Sequence, residues 1–148
     1  MLGNKSIIQW SKEMELGIPE IDKQHKKLVE LLNKFYEENK AGMHEEAVKD
    51  FLTELRDYLI FHLDWEERFL EIIGFEETEQ HKKTHDMFKK FYAEEVNKFL
   101  KNKDEKALRE LVAFTLSWLY THIMKTDKKY AKYYHDIYNR KKKEKILV

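Results

Sequence analysis

The amino-acid sequence predicts an all-α fold, an up-down-up-down four-helix bundle preceded by an N-terminal arm. Three observations lead there. The 148 residues include one Pro and four Gly, while Lys, Glu, Leu and other helix formers dominate, so long helices are favoured over strands. Apolar side chains recur at steps of three and four in four separate stretches, the stripe of a helix packed against others. The breaks between those stretches are short, and short connections make consecutive helices antiparallel neighbours.

Taken in order, the arm (residues 1–18) carries Ile7, Ile8 and Trp10 and leads to Pro19, a residue that a first helical turn tolerates. The first helix is predicted from about Glu20 to Asn39, with Ile21, His25, Leu28, Leu32 and Phe35 as its seam and Gly42 as its stop. The second, from His44 to about Ile73, has the seam Phe51, Leu55, Tyr58, His62, Trp65 or Glu66, and Phe69, and Gly74 ends it. The third, about Thr78 to Leu100, places His81, His85, Phe88, Tyr92, Val96 and Phe99 inward, and the polar KNKDEK run after Leu100 reads as a loop. The fourth, about Asp104 to Tyr138, begins Leu108, Leu111, Thr115, Trp118 or Leu119, and His122. The bundle thus covers about 19–138 of a single domain, and NRKKKEKILV at 139–148 reads as a solvated, frayed basic tail.

Composition narrows the function. With 28 basic and 28 acidic residues the formal charge is zero, so no net field draws the chain to nucleic acid or to anionic lipid. The longest stretch without formal charge, Leu111 to Met124, contains Thr, Ser and His and is too short and polar to span a bilayer. Residues 1–20 lack the continuous apolar core of a secretory signal, so a cytoplasmic protein is expected. The absence of Cys removes disulfides, iron–sulfur clusters and thiolate zinc sites, and any metal must be held by nitrogen and oxygen.

Every predicted helix brings histidine to its inner stripe. A buried imidazole without a partner costs roughly one to several kcal/mol, so five of them need a common explanation, and a metal satisfies all five. His62 and Glu66 stand four apart, about 40° round the helix, and can reach one ion; His81 and His85 do the same. His25 and His122 each add a nitrogen, and Asp127 lies five residues past His122. Five imidazoles and two carboxylates are too many for one tetrahedral zinc and suit two ions that share carboxylate bridges, with iron the leading candidate.

The His122–Asp127 spacing conflicts with a regular helix, in which five residues leave the side chains about 140° apart. After His122 the regular series would be Thr126, Lys129 and Tyr133, whereas the series that looks buried is Asp127, Tyr130, Tyr134 and Ile137. A one-residue slip of this kind predicts a π-bulge between His122 and Asp127.

In GIPEIDKQH ending at His25, HLDWE from His62, HKKTH from His81 and HIMKTD from His122, the chain resembles the hemerythrin family in its single-domain bacterial form. The resemblance covers nearly the whole sequence. It implies a non-haem di-iron centre with His81, His85 and His122 on one iron and His25 and His62 on the other. Glu66 and Asp127 would bridge the irons beside an oxo or hydroxo group. Dioxygen would bind reversibly at the two-histidine iron, with Trp118 and Leu119 over the pocket. The function implied is oxygen storage, transport or delivery to a recipient protein, without catalysis. The rivals are a di-iron enzyme that reduces peroxide or nitric oxide or donates iron for repair, and an oxygen or iron sensor. The plain alternative is a histidine-rich bundle without metal.

Ligand charge favours binding over oxidation chemistry, because five neutral imidazoles and two carboxylates leave two ferrous ions net positive. No Glu-x-x-His motif of the ferritin-like sites occurs. His44 and His135 fall outside the four motifs and read as surface residues. Tyr58 and Tyr130 read as core residues with satisfied hydroxyls, in preference to electron or proton carriers.

Overall fold

A computed structural model describes residues 9–40, 45–103 and 105–147. The helices are α1 (Pro19–Lys40), α2 (Glu45–Ile73), α3 (Thr78–Asn102), α4 (Glu105–Thr121) and α5 (Lys128–Leu147), with a π-helical turn, His122–Asp127, between the last two. Since α4, the π turn and α5 run on without a break, the described residues make four rods. Contacts of α1 with α2, α2 with α3, α3 with α4 and α4 with α1 close them into a ring, the predicted four-helix bundle. No helix of the described residues is long and apolar enough to cross a membrane.

The seam of α1 is fully inward, with Ile21, His25, Leu28 and Leu32 at 0 % exposure. On α2 the choice between Trp65 and Glu66 falls to Glu66, which is buried, while Tyr58, Trp65 and Phe69 sit half-buried beside the seam. Leu59, Leu63 and Leu70 take the interior positions there. The stripe drifts because a helix of 29 residues turns at 3.6 residues per turn and cannot keep a 3.5-residue seam on one line. On α3, Phe88, Tyr92 and Phe99 are buried and Val96 is half-buried; on α4 it is Leu119, not Trp118, that is fully inside.

Gly74 ends α2 with φ +69°, its N–H bonding Glu71 O at 3.2 Å and that of Phe75 bonding Leu70 O at 3.1 Å. This is the Schellman pattern, and it turns the chain directly into α3. α3 ends without a glycine: Lys103 takes the left-handed conformation itself, φ 47°, and its N–H reaches Phe99 O at 2.6 Å. Ile7, Ile8, Gly42, His44 and Asp104 lie outside the described residues.

Two expectations change. The segment read as a frayed tail continues α5 as helix to Leu147, because Lys, Arg and Glu are good helix formers and no Gly or Pro interrupts them. His135 is not a plain surface residue. It is half-buried, and its Nε2 bonds the Leu16 carbonyl oxygen at 2.8 Å. The described part of the arm, residues 9–18, is therefore seated against the bundle. Its short 3-10 turn, Lys12–Met14, packs against the π turn, and Met14, Leu16 and Ile18 are buried. The Asp22 carboxylate accepts the N–H groups of Leu16 at 2.7 Å and Gly17 at 3.0 Å, tying the arm to the first turns of α1.

Candidate metal centre

The seven residues singled out for metal ligation come from all four rods and meet in the interior: His25 from α1, His62 and Glu66 from α2, His81 and His85 from α3, His122 and Asp127 from the π turn. Their exposure runs from 0 to 5 %. The i, i+4 spacing on α2 and α3 stacks each pair one turn apart on one face. The π turn delivers the last pair as the slipped stripe predicts, since widening the helix by one residue brings side chains five apart into line.

The nitrogens form two groups. His81, His85 and His122 surround one point: His122 Nε2 is 3.2 Å from His85 Nε2 and 3.2 Å from His81 Nε2. His25 and His62 form the second, their rings 4.6 Å apart. Each carboxylate divides its oxygens between the groups. Glu66 Oε1 lies 2.7 Å from His81 Nε2 and 3.0 Å from His85 Nε2, whereas Oε2 lies 3.6 Å from His25 Nε2 and 3.7 Å from His62 Nε2. Asp127 Oδ1 faces His122 at 3.0 Å and His81 at 3.3 Å, and Oδ2 faces His25 at 3.3 Å.

Outer partners orient two of the rings. Gln24 Oε1 lies 2.8 Å from His62 Nδ1, and Glu67 Oε2 lies 2.9 Å from His85 Nδ1. Both oxygens are acceptors, so each ring carries its proton on Nδ1 and turns the Nε2 lone pair inward, the arrangement of a metal-ligating histidine. Tyr130, at 0 % exposure, donates its hydroxyl to Glu66 Oε2 at 2.7 Å. The satisfied hydroxyl anticipated for Tyr130 is therefore satisfied at the centre itself. Gln24 and Glu67 went unremarked in the sequence, where their signal was adjacency to His25 and Glu66.

The electrostatics call for positive charge. Burial opposes ionisation of His25, yet Asp127 and Glu66 outweigh it and raise the imidazole from 6.5 to about 9. His81 and His122 rise to about 9 against the same burial and through the same two carboxylates. His62 moves the other way, to about 3, because burial and then the neighbouring His25 disfavour its charge. Burial pushes the Glu66 and Asp127 carboxyls up, but the imidazoles prevail and hold both well below the usual carboxylate range.

The donor set fits a cation. Both Asp127 oxygens and both His25 nitrogens are buried and, although imidazole nitrogens and carboxylate oxygens face one another here at 3.0–3.3 Å, they make no hydrogen bond of good geometry among the described residues, a costly arrangement for buried polar atoms. Ligand atoms of Glu66, His81, His85 and His122 lie within 4.8 Å of one another, as do those of His25, His62 and Glu66. All are nitrogen or carboxylate oxygen, as divalent first-row metals accept. Trp118 stacks on His122 at 4.3 Å and on Phe88 at 4.1 Å, which puts it on the three-histidine side, because it lies one turn before His122 on the same stripe. Leu119 is buried in the core.

A helical bundle that converges histidine and shared carboxylates on one interior point is a cation-binding domain. The family model described as "Hemerythrin HHE cation binding domain" matches residues 16–134, and the chain belongs to the hemerythrin family. It is 35% identical over 124 residues to a bacteriohemerythrin of Clostridium acetobutylicum, covering 82% of this chain and 96% of that one. It is 31% identical over 126 residues to a bacteriohemerythrin of Stenotrophomonas maltophilia (85% and 80%), and 30% over 129 residues to a hemerythrin-like protein of Naegleria gruberi (84% and 92%). Membership implies a non-haem di-iron site.

Proposed function

We propose that the chain is a single hemerythrin-like domain that binds dioxygen reversibly, for oxygen storage, transport or delivery, rather than an enzyme. In this reading His81, His85 and His122 would hold one iron and His25 and His62 the other, with Glu66 and Asp127 shared between them beside an oxo or hydroxo group; of the two residues expected over the gas pocket, Leu119 is the one retained, because Trp118 stacks on His122 on the three-histidine side. The single observation that carries it is the division of each carboxylate's two oxygens between the three-histidine and the two-histidine group. A one-metal site has no use for that division.

Ferrous iron, when bound, supplies the electrons that make dioxygen binding possible. The chain does the rest. The unequal numbers of imidazoles leave the His25–His62 side with fewer protein ligands, and so with room for an outside molecule. Gln24 and Glu67 fix two rings in the ligating tautomer. Burial of every donor keeps bulk water and its protons away, which disfavours irreversible oxidation.

The test loads the protein with ferrous iron anaerobically, admits air, records the visible spectrum and then removes the gas. Colour that appears and vanishes over repeated cycles supports the proposal. One-way oxidation to ferric protein, or steady turnover of peroxide or nitric oxide with an electron donor, favours the enzymatic rival. A chain that takes up no iron overturns the metal assignment.

A further inference from the structure

A second site lies outside the metal centre, where α2 and α3 part at the surface. One cavity of about 310 Å³ is walled by Leu59, Ile60, Leu63, Phe88 and Val96. A second of about 320 Å³ adjoins it and shares Arg56, Tyr92 and Val96 with it. Together they form one trench, each part at the small end of ligand-pocket size.

The charge of the trench is one-sided. Lys49, Arg56 and Lys89 line it and, among the described residues, no Asp or Glu does, although Glu45 stands 3.8 Å from Lys49 and Asp57 pairs with Arg56 just outside the lining. At the junction of the two cavities stands Tyr92, 8 % exposed, whose hydroxyl is buried without a hydrogen-bond partner among the described residues. Buried hydroxyls are ordinarily paired, so this one lacks an oxygen or nitrogen that the trench does not supply. Arg56 is close enough to Tyr92 to oppose the rise that burial imposes on the phenol. Its pairing with Asp57, at 3.1 Å, is solvent-exposed and of the kind an incoming carboxylate displaces at little cost.

We propose that this trench binds an amphipathic monocarboxylate, a medium-chain fatty acid. Its carboxylate lies between the Arg56 guanidinium and the Tyr92 hydroxyl, and its chain runs along Leu59, Leu63 and Phe88. From Arg56 to Leu63 the helix advances roughly 10 Å, the reach of an extended chain of about eight carbons. The apolar walls supply affinity through burial, and the guanidinium supplies selection for an anion. None of these residues belongs to the metal donor set, so the inference stands apart from the oxygen-binding reading.

Octanoate titrated into the full chain by calorimetry, beside 1-octanol as the uncharged control, tests it. The expected result is one saturable octanoate site, with octanol at least about tenfold weaker. Arg56→Gln should weaken octanoate about tenfold and leave octanol unchanged, and Tyr92→Phe should weaken octanoate severalfold. Val96→Trp, which fills the junction, should abolish binding while far-UV circular dichroism shows the helices intact; if that variant misfolds, the exposed Arg56 substitution decides. Failure of octanoate to saturate by about 1 mM, equal binding of octanol, or an indifferent Arg56→Gln each overturns the proposal.

Discussion

Tyr130 and Glu66 meet at 2.7 Å in a part of the core where neither side chain touches solvent. The phenol is held there by Phe69, Phe75 and His81, whose ring centroids lie 6.1, 6.4 and 5.5 Å away. Burial raises the phenol, and the Glu66 and Asp127 charges raise it further, so it remains a proton donor to the carboxylate throughout the neutral range.

Tyr130→Phe keeps the ring and removes that donor. A hydrogen bond to a charged group contributes about 1.5–3 kcal/mol, and among the described residues the other neighbours of Glu66 Oε2, His25 and His62, stand at 3.6 and 3.7 Å, too far to replace it. The metal-free variant should therefore unfold at lower urea with an unchanged m value. An unaltered midpoint would mean that Glu66 does not depend on the phenol.

Gln24 and Glu67 address different nitrogen groups, which makes their effects separable. Loss of an outer partner of a ligating histidine costs about 10–100-fold in metal affinity. Glu67→Ala should weaken the ion beside His85 and leave the other, whereas Gln24→Ala should weaken the ion beside His62. Titration against a competing chelator reads two binding steps, and each variant should move one. Variants that shift both steps equally, or neither, contradict this division.

Much of this was legible beforehand, for identifiable reasons. The four rods followed from apolar spacing, and the slip from His122 to Asp127 gave away the π turn, because one extra residue rotates every later side chain by about 100°. What escaped was set by tertiary context. Gln24 and Glu67 have no periodic signature, since a long polar side chain beside a seam residue reaches inward or outward equally well. His135 looked solvent-facing because its partner is a backbone carbonyl 119 positions away, and a backbone group leaves no mark in the side-chain pattern. On α2 the seam was legible to within one residue; Leu59 and Leu70 replaced Tyr58 and Phe69 inside because the helix drifts against a heptad over its length.

The π turn makes a prediction of its own through insertion and deletion. Lys125 lies within it and is exposed. Deleting Lys125 leaves His122 and Asp127 four apart, which a regular helix keeps on one face, so the variant should fold and still take up metal. Inserting one Ala after Lys125 makes the spacing six, about 120° out of line, and should release Asp127 from the centre. Iron stoichiometry on both variants decides it. Equal loss of metal from both would show that the helix here tolerates no change of length, and the phase argument would fail.

The arm can be tested without touching the centre. Gly17 holds φ +74°, and a Cβ built there would stand 2.8 Å from His135 Nε2. Ala at this position thus suffers twice, from a backbone region that side chains rarely adopt and from the imidazole that occupies its space. Gly17→Ala should cost about 1–3 kcal/mol, which for a chain of this size lowers Tm by roughly 3 °C per kcal/mol. His135→Ala alone should also destabilise, because it removes the bond to the Leu16 carbonyl. Combined, the two should cost less than their sum, since the truncated side chain no longer meets the added methyl; such coupling is expected of residues in contact. Strict additivity in the double variant, or a Gly17→Ala protein that melts with the wild type, would mean that the arm is not seated against His135. Iron stoichiometry should stay constant across the series, because neither residue carries a donor atom of the centre.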